Sequence, residues 1–189
     1  MIVSSRCVAT SSRRSEISSV DVAEVGPGEV ERLGRLIREA WDEAGPGAPG
    51  WSGADDATIA EISTSEALLS RIGGPQQRMF MATADGRPVG FAATRLMEGR
   101  SIELSGIIVL QSMLGGGIGT QLLEAAVAQA VEEGCLRIEV HTEVDNAAAI
   151  GFYRSHGFDE VGETTVSFDG ERVPLVVLER HLVESRDPA

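Results

Sequence analysis

A single α/β (α+β) domain, with helices flanking a mixed and mostly antiparallel central sheet, is the fold class that this 189-residue sequence predicts. Three observations lead there. Two Asp-Gly dipeptides, Asp85-Gly86 and Asp169-Gly170, each sit between apolar segments and suit tight antiparallel hairpins, because glycine accepts positive φ. Residues 101–142 read as strand, glycine-rich turn, helix and strand, long enough to join two parallel strands. Glycine is abundant, at 22 residues, while aromatics make up only 4%, which favours close helix–sheet packing over a core of large rings.

The elements follow in order. Residues 17–25 alternate apolar and polar side chains, the pattern of a first strand, and Gly26-Pro27-Gly28 ends it. Val30, Leu33, Ile37, Ala40, Trp41 and Ala44 then recur at helical spacing between Pro27 and Gly45-Pro46. Residues 45–53 form a Gly/Pro-rich loop that carries Trp51. A second helical region starts at Asp55-Asp56, shows Ile59, Ile62, Leu69 and Ile72 on one side, and stops at Gly73-Gly74-Pro75. Strands are predicted over 78–84, 87–96 and 101–110. Beyond the glycine turn, Leu122, Leu123, Ala126, Val127, Ala130 and Val131 mark a helix closing at Gly134. A strand over 136–142, a helix capped by Asp145 or Asn146 and ending at Gly157, and a hairpin of 158–168 with 171–181 complete the order. Residues 16–183 are expected to form the domain, residues 1–15 a flexible N-terminal extension, and residues 184–189 a tail.

Charge narrows the partners. The chain carries 16 basic and 29 acidic residues, a formal net charge of −13, and every basic residue is arginine. A field of that sign repels nucleic acid and anionic membrane, and attracts cationic small molecules or basic peptides at low salt. Neither nucleic acid nor a membrane is an expected partner. No apolar stretch approaches the length of a membrane span, and the Ser/Arg-rich N-terminus lacks the apolar core of a secretory signal. A cytoplasmic location is expected. Cys7 and Cys135 form neither a metal spacing nor a disulfide framework, and no metal is expected.

Gly115, Gly116, Gly117 and Gly119 lie directly between a strand and a helix. They expose backbone amides without Cβ obstruction at the positively polarised end of a helix, a physical site for phosphate or pyrophosphate. Gly-rich turns of this kind also serve tight packing alone. No Gly-Lys-Ser/Thr follows, so a P-loop would lack its lysine and its magnesium hydroxyl. A dinucleotide reading stays open, since Glu139 and Glu143 stand where the acidic partner of a Rossmann turn would, although only one crossover is visible. Further on, Asn146, Ile150 and Tyr153 fall at i, i+4 and i+7, which places them on one helix face.

Residues 107–123 resemble the acetyl-CoA motif of the GNAT family of N-acetyltransferases, whose core is Gln/Arg-x-x-Gly-x-Gly/Ala, and residues 146–158 resemble that family's second motif. The order of elements over about residues 17–182 is also similar to the family's. The resemblance implies a GNAT-like sheet with acetyl-CoA as co-substrate. It implies that the amides of Gly115, Gly116, Gly117, Ile118, Gly119 and Thr120 cradle the pyrophosphate, and that the strand edge at Ile108, Val109 and Leu110 pairs with the pantetheine arm. Leu114 stands where the family usually has Gln or Arg, which removes a side-chain contact to the phosphates.

The same resemblance implies roles on the helix face. Asn146 would contact the pantetheine region beside Ile150, and Tyr153 would donate a proton to the coenzyme A thiolate, a task a phenol protonated at neutral pH can perform. Glu103, on the strand leading into the loop, is the first candidate for the base that deprotonates the amine, directly or through water. His141 and Glu143 are the runners-up, while His156 and Cys135 read as structural. A backbone amide near Val109 is the expected oxyanion donor. Trp51 and Asp55, with His141 and Glu143, are the candidate substrate contacts, and Trp41, Asp42, Glu43 and Asp56 could add an acidic, aromatic wall for a cation. The acceptor is expected to be an amine-bearing small molecule or peptide. A non-catalytic acyl-CoA sensor is the alternative, a dinucleotide-binding oxidoreductase a remote one. Similar proteins commonly form homodimers.

Overall fold

The computed structural model describes residues 19–51, 54–72, 74–168 and 171–182. Their elements run β1 (Val20–Glu24), α1 (Val30–Ala44), α2 (Asp56–Ile62), α3 (Ser65–Ile72), β2 (Gln77–Ala84), β3 (Arg87–Met97), β4 (Ser101–Val109), α4 (Ile118–Glu132), β5 (Arg137–Glu143), α5 (Ala147–Ser155), β6 (Asp159–Phe168) and β7 (Glu171–His181). Short 3-10 turns cover Pro27–Glu29 and Gln111–Met113. The strands join one sheet in the order β1-β2-β3-β4-β5-β7-β6. Only β4 and β5 pair in parallel, so the sheet is mixed and mostly antiparallel, as the hairpins and the single crossover predict. Asp85 and Gly86 take φ of 50° and 80°, the positive values a two-residue hairpin turn needs. The Asp169-Gly170 turn lies outside the described residues, as do residues 1–18 with Cys7, and residues 183–189.

Strand alternation sorts side chains onto two layers. On one face Ile102, Leu104, Ile138, Val140 and Leu178 pack with Leu122, Leu123 and Ala126 of α4. On the other, Met79 and Met81 pack with Leu33, Leu36, Ile37, Ala40 and Trp41 of α1, Ile59 of α2 and Leu68 of α3. Cys135 is buried in the first layer, and burial pushes its thiol up, which suits a core residue.

The helical region predicted from Asp55 onward is two helices, because α1 approaches the chain between them too closely for a continuous run. An ideal Cβ on Gly34 would stand 2.2 Å from the Ser63 carbonyl oxygen. Ser63 ends α2, its hydroxyl accepting from Arg38 at 2.8 Å, and the Thr64 hydroxyl accepts from the Ala67 amide at 3.2 Å to start α3. The contact yields a prediction. Gly34→Ala would gain about 1 kcal/mol of helix propensity, yet the clash is with backbone, which no rotamer change relieves. Overpacking costs about 1–3 kcal/mol or more, so the variant is expected to be less stable, losing about 2–4 °C of Tm per net kcal/mol. Thermal unfolding followed by circular dichroism checks this.

One irregularity positions the functional site. Ala93 pairs with Gly106 and Thr94 with Leu104, which leaves Ser105 as an extra residue in β4. A bulge bends its strand. β4 pairs with β5 only over residues 101–104 and 137–140, while β5 stays paired to β7 through Glu143 and β4 stays paired to β3 through Val109. The two central strands therefore part just after the bulge, inside the sheet.

Candidate active site

A cleft of about 310 Å³ opens where β4 and β5 part. Ser105, Gly106, Ile107 and Ile108 line one side, and His141, Thr142 and Glu143 line the other. Asn146, Ala149 and Tyr153 of α5 contribute to the same lining, and Ile37, Trp51, Ile62, Arg71, Met79, Phe91 and Ala93 extend it under the first three helices. Beyond Leu104 the β5-facing edge of β4 pairs with no strand among the described residues. An extended, amide-bearing ligand can add to such an edge as a strand would.

α5 begins where Asn146 caps it, its side-chain oxygen accepting from the Ala149 amide at 3.1 Å. The Asn146 amide nitrogen donates to Glu143 at 3.3 Å, and the Glu143 carboxylate accepts from the Gly50 amide at 3.1 Å. Glu143 thus ties the helix start to the loop that carries Trp51. Two turns on, Tyr153 is buried between Phe152 and Phe158, with ring centroids at 5.2 and 5.4 Å. Burial pushes its phenol well above the ordinary value, so it stays protonated across the neutral range. No described residue hydrogen-bonds to its hydroxyl, and the side chain lines the cleft.

The glycine loop lies next to this helix. Gly117 takes φ of 76° immediately before α4, a left-handed conformation that favours glycine. Among the described residues, the amides of 115–120 donate to no protein acceptor, and the first amide engaged at this end is Gln121, bonded to the Gly117 carbonyl at 3.2 Å. Unengaged amides at a helix N-terminus suit a phosphate chain. An ideal Cβ on Gly119 would touch the Phe152 ring at 3.5 Å, and the Thr120 hydroxyl meets His156 Nε2 at 3.1 Å. His156 Nδ1 faces the Phe152 carbonyl at 2.8 Å, so Nδ1 carries the proton and Nε2 accepts from Thr120. The loop and α5 are fastened together by these contacts.

A family description, Acetyltransferase (GNAT) family, matches residues 35–158. The chain belongs to the GNAT acetyltransferase family. It is an acetyltransferase, as the paired motifs imply. An uncharacterized N-acetyltransferase of Mycobacterium tuberculosis is 29% identical over 128 residues, covering 68% of this chain and 80% of that protein. The PaiA N-acetyltransferase of Thermoplasma acidophilum, solved with coenzyme A, superposes with a TM-score of 0.66 at 20% identity, over 87% of this chain and 99% of that one. An N-acetyltransferase of Staphylococcus aureus superposes at 0.68 and 18% identity, over 87% and 99%. At these identities the structural likeness shows a shared fold.

Within this GNAT domain the residues singled out from sequence fall in different places. Ile108, Asn146, Tyr153, Trp51, His141 and Glu143 converge on the cleft. Glu103 does not line it: its carboxylate pairs with Arg95 at 2.6 Å across the β3–β4 ladder. Leu110 is fully buried and its amide is engaged by the Val89 carbonyl at 3.0 Å, while Val109 and Ile150 pack against the core beside α4. Leu114 is 63% exposed. The acidic wall expected from sequence is not assembled. Asp55 caps α2 through Thr58, whose hydrogen bonds hold its carboxyl below the usual range. Asp56 accepts from the indole of Trp41 at 2.8 Å, and Glu43 accepts from Ser112 at 2.9 Å. Two residues to which the sequence assigns no part in acetyl transfer also stand at the site. Glu139 meets His141 Nε2 at 2.7 Å, and its i,i+2 position on the same strand face was readable. Arg71 reaches the cleft from α3, and nothing local in the sequence announces it.

No helix among the described residues is long and apolar enough to cross a membrane, and no described group of three or more His, Cys, Asp or Glu could hold a metal ion.

Proposed function

We propose that the cleft holds acetyl-CoA against β4 and the glycine loop and passes its acetyl group directly to a primary amine, with Tyr153 as proton donor and His141, oriented by Glu139, as proton acceptor. The observation carrying this reading is the parting of β4 and β5, which puts a free strand edge, a protonated phenol and an imidazole around one cavity. The amides of residues 115–120 suit the pyrophosphate, and the open edge at 105–109 suits the amide-bearing pantetheine arm. When bound, acetyl-CoA supplies an activated thioester.

The chain's own groups manage the protons. An acceptor amine must lose a proton to attack, and Glu139 holds His141 by Nε2, which leaves Nδ1 as the basic nitrogen of a cleft-lining side chain. Tyr153, kept protonated by burial, can supply a proton to the departing thiolate. Glu103 is the weaker candidate for base, because its carboxylate is turned to Arg95 and does not line the cleft. An amine in a small molecule or peptide is the acceptor class. Titration calorimetry with coenzyme A and a free-thiol assay over an amine and peptide panel test the reading. Binding together with acceptor-dependent thiol release is expected. Binding without turnover on any acceptor would assign an acyl-CoA sensor instead, and failure to bind coenzyme A would remove the proposal.

A further inference from the structure

The charged groups of the cleft are unevenly distributed in a way that speaks to the acceptor. Glu143 and His141 sit on the β5 wall, while the sole guanidinium in the lining, that of Arg71, comes from the last turn of α3. Ile37, Ile62, Met79 and Phe91 supply apolar lining to the same cleft. Six of the described arginines, Arg32, Arg78, Arg87, Arg95, Arg137 and Arg154, pair with carboxylates. Arg35, Arg38, Arg71, Arg172 and Arg180 have no carboxylate partner among the described residues, and of these Arg71 alone lines the cleft. Glu143, by contrast, is engaged by Gly50 and Asn146.

We infer that the acceptor is a small amine with an apolar body and a carboxylate, an apolar amino acid in chemical terms, whose carboxylate is bound by Arg71. This rests on the proposed acetyl transfer at the same cleft. The planar guanidinium offers two parallel donors that match a carboxylate, and the apolar lining takes the body. The acceptor amine is then left for the β5 wall, where Glu143 favours a cation and His141 can receive the proton. The same guanidinium works against polyamines and other dications, which would place positive charge beside it. A cleft built for cationic acceptors would show the opposite arrangement.

The test compares phenylalanine, leucine and methionine with their primary amides and with phenethylamine, measuring both kcat/KM for thiol release and binding to the coenzyme A-loaded protein. The free acids are expected to be preferred at least about tenfold in both, the size of one charge-assisted hydrogen bond. Arg71→Gln is expected to bring the acid-to-amide ratio close to one, and Arg71→Lys to restore part of it. Retained coenzyme A binding shows that each variant is folded. Equal binding of acid and amide, or a ratio unmoved by Arg71→Gln, overturns the inference, as does failure of every acid to bind. Acid-selective binding without turnover would leave the inference standing and count against the proposed acetyl transfer alone.

Discussion

Tyr153→Phe is expected to lower kcat by about 10²- to 10⁴-fold, the range for loss of a positioned acid, with coenzyme A affinity nearly unchanged. The ring remains to pack between Phe152 and Phe158, so the substitution removes the hydroxyl and little else. Two readouts separate a catalytic role from a structural one. Calorimetry should give the same coenzyme A affinity for both proteins, and single-turnover thiol release should be slow in the variant alone. Undiminished turnover would take Tyr153 out of the acid role. The raised phenol also fixes the sign of a pH effect. Burial lifts the folded-state value above the ordinary one of about 10, so the folded chain keeps its proton where the unfolded chain has lost it. This contribution to stability is fully present below about pH 10 and is lost as pH rises through the folded value. Wild type is therefore expected to lose stability above about pH 10 more steeply than Tyr153→Phe, in denaturant midpoints measured across that range.

The groups that were legible in the sequence are those whose signals are local. Asp85-Gly86 announces its hairpin because the turn itself requires positive φ, and α1 follows from the spacing of Leu33, Ile37, Ala40 and Trp41, all buried in the structure. The placement of Asn146 and Tyr153 on one face needs only the period of a helix. What escaped depends on partners. The parting of β4 from β5 follows from Ser105 having no opposite number in β3, a property of register that no single strand displays. The interruption at Ser63 arises because Gly34, far away in sequence, presses on its carbonyl. Asp55, Asp56 and Glu43 looked like an acidic wall as a composition, yet each is occupied by a cap, an indole or a loop amide and hydroxyl. Arg71 shows the reverse case, an ordinary helical arginine that matters only because of where α3 ends.

The largest effect on pH dependence is expected at His141. His141→Ala should lower kcat/KM about 10²-fold or more at neutral pH, whereas Glu103→Gln should leave it within a few-fold. The reason is placement: His141 lines the cleft and is held by Glu139, while Glu103 is turned to Arg95. The sign of the pH effect follows from the role. A base works only when unprotonated, so the rate falls on the acidic side as the imidazole gains its proton, and this limb should vanish or move in His141→Ala. Glu139→Gln gives an intermediate case. It keeps an oxygen that can accept from Nε2 and so still orients the ring, and kcat/KM should fall less than in His141→Ala. Unchanged coenzyme A binding would separate this loss from a loss of folding. If instead Glu103→Gln abolishes the limb and His141→Ala preserves it, the proton leaves through the Arg95–Glu103 pair, and the imidazole beside the cleft only shapes the wall against which the amine rests.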